Sequence, residues 1–169
     1  MTMGDTLSTI EGQEVGPEHF RRVMGNVATA VSILTAHTAE GPVGVAVNSM
    51  TSVSLAPPMI LVCPAKTSTT WPAIRDAGRF CVNVLAIGQE QICRRFATRG
   101  ADRWAGVEWT DRSTGPALAD AAAWIECVIR DEHDAGDHTI VVAEVIRLQA
   151  ATEVDPLLYF QGNYGRLQA

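Results

Sequence analysis

Three stretches of this 169-residue chain carry side chains whose types and spacing suit chemistry. The first is Asn48-Ser49-Met50-Thr51-Ser52-Val53-Ser54-Leu55-Ala56-Pro57-Pro58, dense in hydroxyls and flanked by apolar runs. A buried hydroxyl left without a partner costs about 1–3 kcal/mol. These groups therefore either satisfy the backbone of nearby turns or line a groove and bond the edge of a heteroaromatic ligand. The second stretch is Cys63-Pro64-Ala65-Lys66-Thr67-Ser68-Thr69-Thr70-Trp71. A hydroxyl-rich loop that opens a helix beside one cation suits a phosphate. Capping the helix needs only one of those hydroxyls. The third is Gly136-Asp137-His138. It reads either as a plain hairpin turn or as a neutral imidazole held where it touches a planar ligand.

The missing motifs narrow the field. There is no G-x-G-x-x-G, no G-x-x-x-x-G-K-[ST], no G-x-S-x-G and no H-E-x-x-H. Rossmann, P-loop, serine-hydrolase and zincin chemistry are therefore not indicated. The four cysteines, Cys63, Cys81, Cys93 and Cys127, form no C-x-x-C pair. They read as buried, reduced thiols and not as zinc ligands. Of the histidines, only His133 and His138 lie within five positions, across a turn, so no metal site is expected. The charge of −6 lacks the basic footprint that nucleic acid or an anionic membrane would need. No basic-then-apolar leader and no 18-residue apolar run is present, so a cytoplasmic location is expected.

A frame of short strands must position these stretches. Hydrophobic residues at 47% and charged residues at 19% are ample for one core, and the length suits one domain. Residues 1–15 are polar and aperiodic, a flexible leader to a domain over 16–169. Phe20, Val23, Met24, Val27 and Ala28 give helical spacing after Pro17, a face expected to pack on the core. Strands are expected over 30–35, 43–47, 52–55, 59–63, 80–85, 124–131, 138–149 and 157–160, with a turn at 134–137. Helices are expected from Trp71 to Gly78 and from Gln89 to Ala97, the latter with Ile92 and Phe96 on one face. Residues 99–116 read as a long loop. Strands that follow one another without intervening helices disfavour a parallel sheet and suit a closed or partly closed antiparallel barrel.

Taken in order, these segments resemble the flavin reductase-like family of flavin-binding split barrels. The likeness is greatest to the short NAD(P)H:flavin reductases that serve two-component monooxygenases. It is carried by Phe20-Arg21-Arg22-Val23-Met24-Gly25, Ala30 to Thr35, Gly44 to Ser49 and Ser52 to Pro58. Lys66 to Thr70, Phe80 to Leu85, Arg95-Phe96, Gly136-Asp137-His138 and Tyr159 to Tyr164 complete it. The resemblance implies a mainly β fold, a six-stranded antiparallel Greek-key split barrel of the FMN-binding type with flanking helices, in a homodimer. It implies that the isoalloxazine of FAD or FMN lies on Asn48, Ser49, Thr51, Ser52, Val53 and Ser54, with its phosphate at Lys66, Ser68 and Thr70. Asn83 would border the flavin and Phe96 its ribityl or adenine side, and His138 and Tyr164 would contact the nicotinamide stacked over the ring. NADH is expected over NADPH, since no arginine pair marks a 2′-phosphate. Reduced flavin would pass to a partner flavin-dependent monooxygenase. The alternative is a tight flavin carrier or sensor without turnover. A split-barrel oxidase acting on a pyridoxine-like phosphate would want more cations than Lys66.

Overall fold

A computed structural model describes residues 15–167, so the leader expected at 1–15 lies outside the described residues except for Val15. The elements are α1 (Pro17–Met24), β1 (Thr29–Ala30), β2 (Ser32–Thr38), β3 (Gly41–Val47), β4 (Thr51–Leu55), β5 (Pro58–Val62), α2 (Trp71–Ala77) and β6 (Arg79–Val84). After a 3-10 turn come α3 (Glu90–Ala97), β7 (Trp109–Thr110), β8 (Ala117–Leu118), β9 (Ala123–Ala135), β10 (His138–Ala150), β11 (Leu158–Phe160) and β12 (Asn163–Gly165).

One antiparallel sheet dominates, in the order β3-β2-β6-β9-β10-β5-β4. It has seven strands, not the six expected from the resemblance. β3 and β4 are its two outer strands, yet Asn48, Ser49 and Met50 alone join them. Laid flat, seven strands would span roughly 29 Å. Val47 and Thr51 can be at most about 14 Å apart. The sheet therefore curls until its edges approach, and the link closes one end of the seam. The expected strand at 30–35 is divided. β1 pairs with β11, and β11 with β12, in a separate small sheet.

Each long element has a local cause. In β9 and β10 β-branched residues recur, and Gly136 (φ +69°) makes the two-residue turn between Ala135 and His138. Pro42 lies in β3, an edge strand, where the missing N–H costs no ladder bond. α2 starts at Trp71-Pro72 and stops at Gly78, which takes the left-handed conformation. Ser68 Oγ accepts the amides of Thr70 (3.3 Å) and Trp71 (3.1 Å) at its start.

The core has two parts, one on each face of the curled sheet. Leu34, Phe80, Val82, Val62, Val141, Trp71 and Ile74 fill the first. Ile33, Leu85, Cys93, Phe96, Leu118 and Leu157 fill the second, beneath α3. This places Cys93 and Phe96 inward from α3, with Ile92 partly buried beside them. Phe96 lies against Gly44 so closely that a Cβ there would stand 2.6 Å from the ring.

Two sequence expectations change. The apolar face of α1 does not pack on the core: no α1 residue is buried, and Phe20 is 56% exposed. The stretch over 99–116 is not a free loop. With β7 and β8 it forms a strap across the second core. Thr35 Oγ1 donates to the Pro116 carbonyl (2.6 Å), Ser113 Oγ donates to Glu126 Oε1 (2.7 Å), and Trp104 packs edge-on against Phe96 and Trp109.

Candidate functional site

The Asn48-Ser49-Met50 link sets the location of the cleft. A cavity of about 180 Å³ opens at the seam, lined by Val45 to Ser49, Cys63, Pro64, Ala65, Ser68 and His138. Ser49 Oγ accepts the amide of Cys63 (2.8 Å), which ties the link to the end of β5 and leaves the hydroxyl proton to donate. Ser68 likewise has its oxygen engaged by two amides and its proton free to donate. The backbone of Ala65 bridges His138 and brings the Lys66 loop alongside β10.

His138 Nδ1 lies 2.8 Å from Asp137 Oδ1, which fixes the ring and leaves Nε2 for the cleft. The hydrogen bond and charge of His138 hold the Asp137 carboxyl below its ordinary range, and Arg21 lowers it further. Lys66 Nζ lies 2.5 Å from Asp134 Oδ2, and that pair lowers the Asp134 carboxyl in the same way. All these groups are exposed, so they organise the rim and contribute little to stability.

The structure brings Asn48, Ser49, Ser68 and His138 into one cleft. Thr51, Ser52 and Val53 lie exposed on the edge strand β4 with Ser54 half-buried, beside the link but outside the cleft lining. Thr70 departs from the expectation of a phosphate ligand. It is 8% exposed, and its hydroxyl accepts Arg103 Nη1 at 2.5 Å. Arg103 also donates to the Gly44 carbonyl (2.9 Å), so it ties the strap to β3 and the start of α2.

Asn83 and Phe96 depart further. Both are fully buried and present no surface to a ligand. Asn83 Nδ2 donates to the Ile33 carbonyl (3.2 Å), Thr35 Oγ1 (3.1 Å) and the Pro116 carbonyl (3.2 Å). Its Oδ1 accepts the Leu118 amide at 2.7 Å. Tyr164 lies apart from His138. It lines a cavity of about 130 Å³ with Cys93, Ala97 and Tyr159, which shares with the His138 cleft only Ala46, Val47 and Asn48. The Tyr164 hydroxyl sits 3.2 Å from Cys93 Sγ, and burial followed by that hydrogen bond pushes its pKa up to about 12.

All four thiols are free, and Cys81, Cys93 and Cys127 are buried. Burial, with the Glu126 carboxylate adding to it, pushes Cys81 up to about 12, and burial raises Cys127 as well. Such thiols are inert packing groups. Among the described residues, no cluster of His, Cys, Asp and Glu could hold a metal. The sequence singles out the stretch from Cys63 to Trp71 for a phosphate through Lys66, Ser68 and Thr70, but gives Cys63 and Pro64 no role of their own as cleft walls. Their position at the end of a continuous apolar run, next to Lys66, was the available signal.

The curled antiparallel sheet thus carries at its seam a cleft walled by small apolar residues, hydroxyls and one oriented imidazole, the mixed lining of a small-ligand site. The chain belongs to the flavin reductase-like family: the model of the flavin reductase like domain matches residues 24–168. It is 41% identical over 156 residues to the reductase subunit HsaB of a flavin-dependent monooxygenase from Rhodococcus jostii, covering 92% of this chain and 80% of that one. It is 42% identical over 148 residues to the FMN reductase (NADH) SmoA of Agrobacterium fabrum, covering 87% and 84%. Among solved structures, the NADH:FAD oxidoreductase SgcE6 of Streptomyces globisporus, in complex with NAD and FAD fragments, superimposes with a TM-score of 0.86 at 34% identity, covering 92% and 97%.

Proposed function

We infer that this protein is an NADH:flavin oxidoreductase that reduces free FAD or FMN and supplies reduced flavin to a monooxygenase. The observation that carries this reading is the seam cleft, where Asn48, Ser49, Ser68 and His138 converge in a chain of this family. The residues present fit a flavin. Ser49 and Ser68 each hold a hydroxyl proton ready for a ring or phosphate acceptor, while Val45 to Val47 supply a flat apolar wall. A flavin held there by Asn48, Ser49 and Ser68 would supply the hydride acceptor and an NADH beside His138 the hydride, with one proton from solvent and NAD⁺ as the other product.

The protein's part is placement. The link from Asn48 and the β4 edge, exposed from Thr51 to Val53 with Ser54 half-buried, give the ring a platform. Ser68, with Lys66 released from Asp134, receives the phosphate. His138, steadied by Asp137, orients the nicotinamide. Stacking two rings at close range removes most of the need for a protein acid or base.

Steady-state kinetics test this reading. NADH oxidation is expected to saturate with added FAD or FMN. In His138→Ala the KM for NADH is expected to rise about tenfold, the loss of one charged or polar anchor. The flavin dissociation constant should move by less than about twofold, since His138 acts on the other ligand. No flavin-dependent turnover would overturn the reductase reading in favour of a carrier. Equal loss for both ligands would remove the nicotinamide role from His138.

The homodimer is part of the same proposal. Leu55 is 94% exposed and Val53 half-exposed on the free edge strand β4. An unpaired edge with apolar side chains favours burial against another chain. Light scattering is expected to give twice the chain mass, and a monomer at micromolar concentration would refute it. Among the described residues, no helix is long and apolar enough to cross a membrane. A cytoplasmic location is part of this proposal.

A further inference from the structure

Arg103 joins two of the elements that wall the seam cleft without lining the cleft itself. One nitrogen, Nη1, donates both to the Gly44 carbonyl (2.9 Å) and to the Thr70 hydroxyl (2.5 Å). Gly44 comes one residue before Val45, where the β3 wall of the cleft begins. Thr70 comes two residues after Ser68, which lines the cleft from the loop before α2.

As a plain stabilising contact this one is poorly made. Arg103 Nε is buried without a hydrogen-bond partner. Among the described residues, no carboxylate lies within ion-pair distance of the guanidinium. A half-buried cation in that state is less favourable than an apolar side chain of the same size. What the cation does is hold Thr70. The two ends of the contact differ in freedom. β3 is laddered to β2 along its whole length, from Gly41 to Val47. Thr70 has no such ladder, and its hydroxyl caps no helical amide. Ser68 Oγ accepts the Thr70 and Trp71 amides (3.3 and 3.1 Å), and those two bonds set where its own proton points. Loss of Arg103 therefore leaves β3 in place and frees Thr70 to turn, and Ser68 with it.

We propose that Arg103 is a positioning residue for the flavin phosphate: it holds Thr70, and through Thr70 the Ser68 hydroxyl, and touches neither ligand. The assignment rests on the reductase reading, which supplies a phosphorylated flavin and places its phosphate at Ser68. Arg103 belongs to the end of the strap where Trp104 packs on Phe96, apart from the Gly115-Pro116 end that is bonded to Thr35.

Fluorescence titration with FMN and riboflavin tests this, because the two flavins differ only by the phosphate. In Arg103→Ala the Kd for FMN is expected to rise about fivefold, the effect of a misplaced polar contact, while the riboflavin value stays within about twofold. In a Ser68→Ala background the same substitution should move the FMN value by less than about twofold, since it acts through the hydroxyl already lost. Thr70→Val, which removes the acceptor and keeps the shape, should reproduce the loss, and Thr70→Ser should bind FMN as wild type does. The Thr70 pair carries the test alone if Arg103→Ala does not fold. An equal loss for riboflavin, an unchanged FMN value, or an additive loss in the Ser68→Ala background would overturn the proposal. So would wild-type affinity in Thr70→Val beside a weakened Arg103→Ala, because Arg103 would then act on the ligand directly. The reductase reading fails separately, through absent NADH oxidation in wild type that still binds FMN.

Discussion

Asn83→Ala is expected to lower the stability of the protein by about 3 kcal/mol and leave flavin affinity unchanged in the folded fraction. At this chain length that corresponds to roughly a 10 °C fall in Tm. The amide of Asn83 is the hub between β2, β6 and the strap. It reaches Ile33, Thr35 and Pro116 as a donor and takes the Leu118 amide as an acceptor. Removing it does not orphan every partner. The Pro116 carbonyl keeps the Thr35 hydroxyl at 2.6 Å. The Leu118 amide loses its acceptor in a fully dry site, and a side-chain-sized void opens beside it. An unsatisfied buried donor and a cavity each cost on the order of 1–3 kcal/mol. Urea unfolding followed by fluorescence gives the first number, and flavin titration well below the transition gives the second. A mutant of unchanged stability that loses flavin would show Asn83 touching the ligand, as the family resemblance suggests, and would contradict the buried network.

The same residue shows where sequence reading stops. Phe80 to Leu85 is plainly a strand, and alternation divides it into two faces. Alternation tells which face is which only when one face is wet. Here both are covered, one by the first core and the other by the strap, so Asn83 could not be distinguished from a polar residue lining a groove. Phe96 fails similarly: helical spacing puts it on the apolar side of α3, and that side points into the second core. Of the hydroxyl strip, Ser49 lines the cleft because the link brings it there, while Thr51 to Ser54 follow β4 along the free edge; Ser68 reaches the same cleft from the Lys66 loop. The position of His138 at the start of β10, though not its role, was legible because a two-residue turn with Gly136 fixes it. The periodicity of α1 was legible and its partner was not, since amphipathic spacing shows an apolar face without saying what covers it. The strap was illegible because its order comes from tertiary bonds, those of Thr35, Asn83 and Glu126, and not from local propensity.

That strap carries the second large expected effect. Gly115→Ala should destabilise the protein by about 3 kcal/mol, comparable to the loss of Asn83, by overpacking and not by a cavity. Gly115 lies at φ +155° directly over β2. A Cβ there would fall on the Thr35 carbonyl and stand 2.7 Å from its carbon and 2.9 Å from Ala36 Cα. All three atoms are backbone of a central strand, so no side-chain rotation relieves the clash. The strap must lift. Lifting stretches the Thr35–Pro116 and Asn83–Leu118 bonds together and uncovers Glu126, whose carboxylate is buried beneath Ser113. Gly106 provides the control, since it is on the same strap with nothing within 4 Å of a Cβ. Its φ of +67° still strains alanine, at a cost of about 1 kcal/mol. The difference between the two variants measures the clash together with the greater backbone strain at φ +155°. Because none of the strap residues lines the His138 cleft, NADH oxidation by folded Gly115→Ala at low temperature should remain near wild type. A variant that keeps its stability would mean that the strap does not lie flush on β2. A variant that folds but loses turnover would mean that the strap reaches the cleft after all.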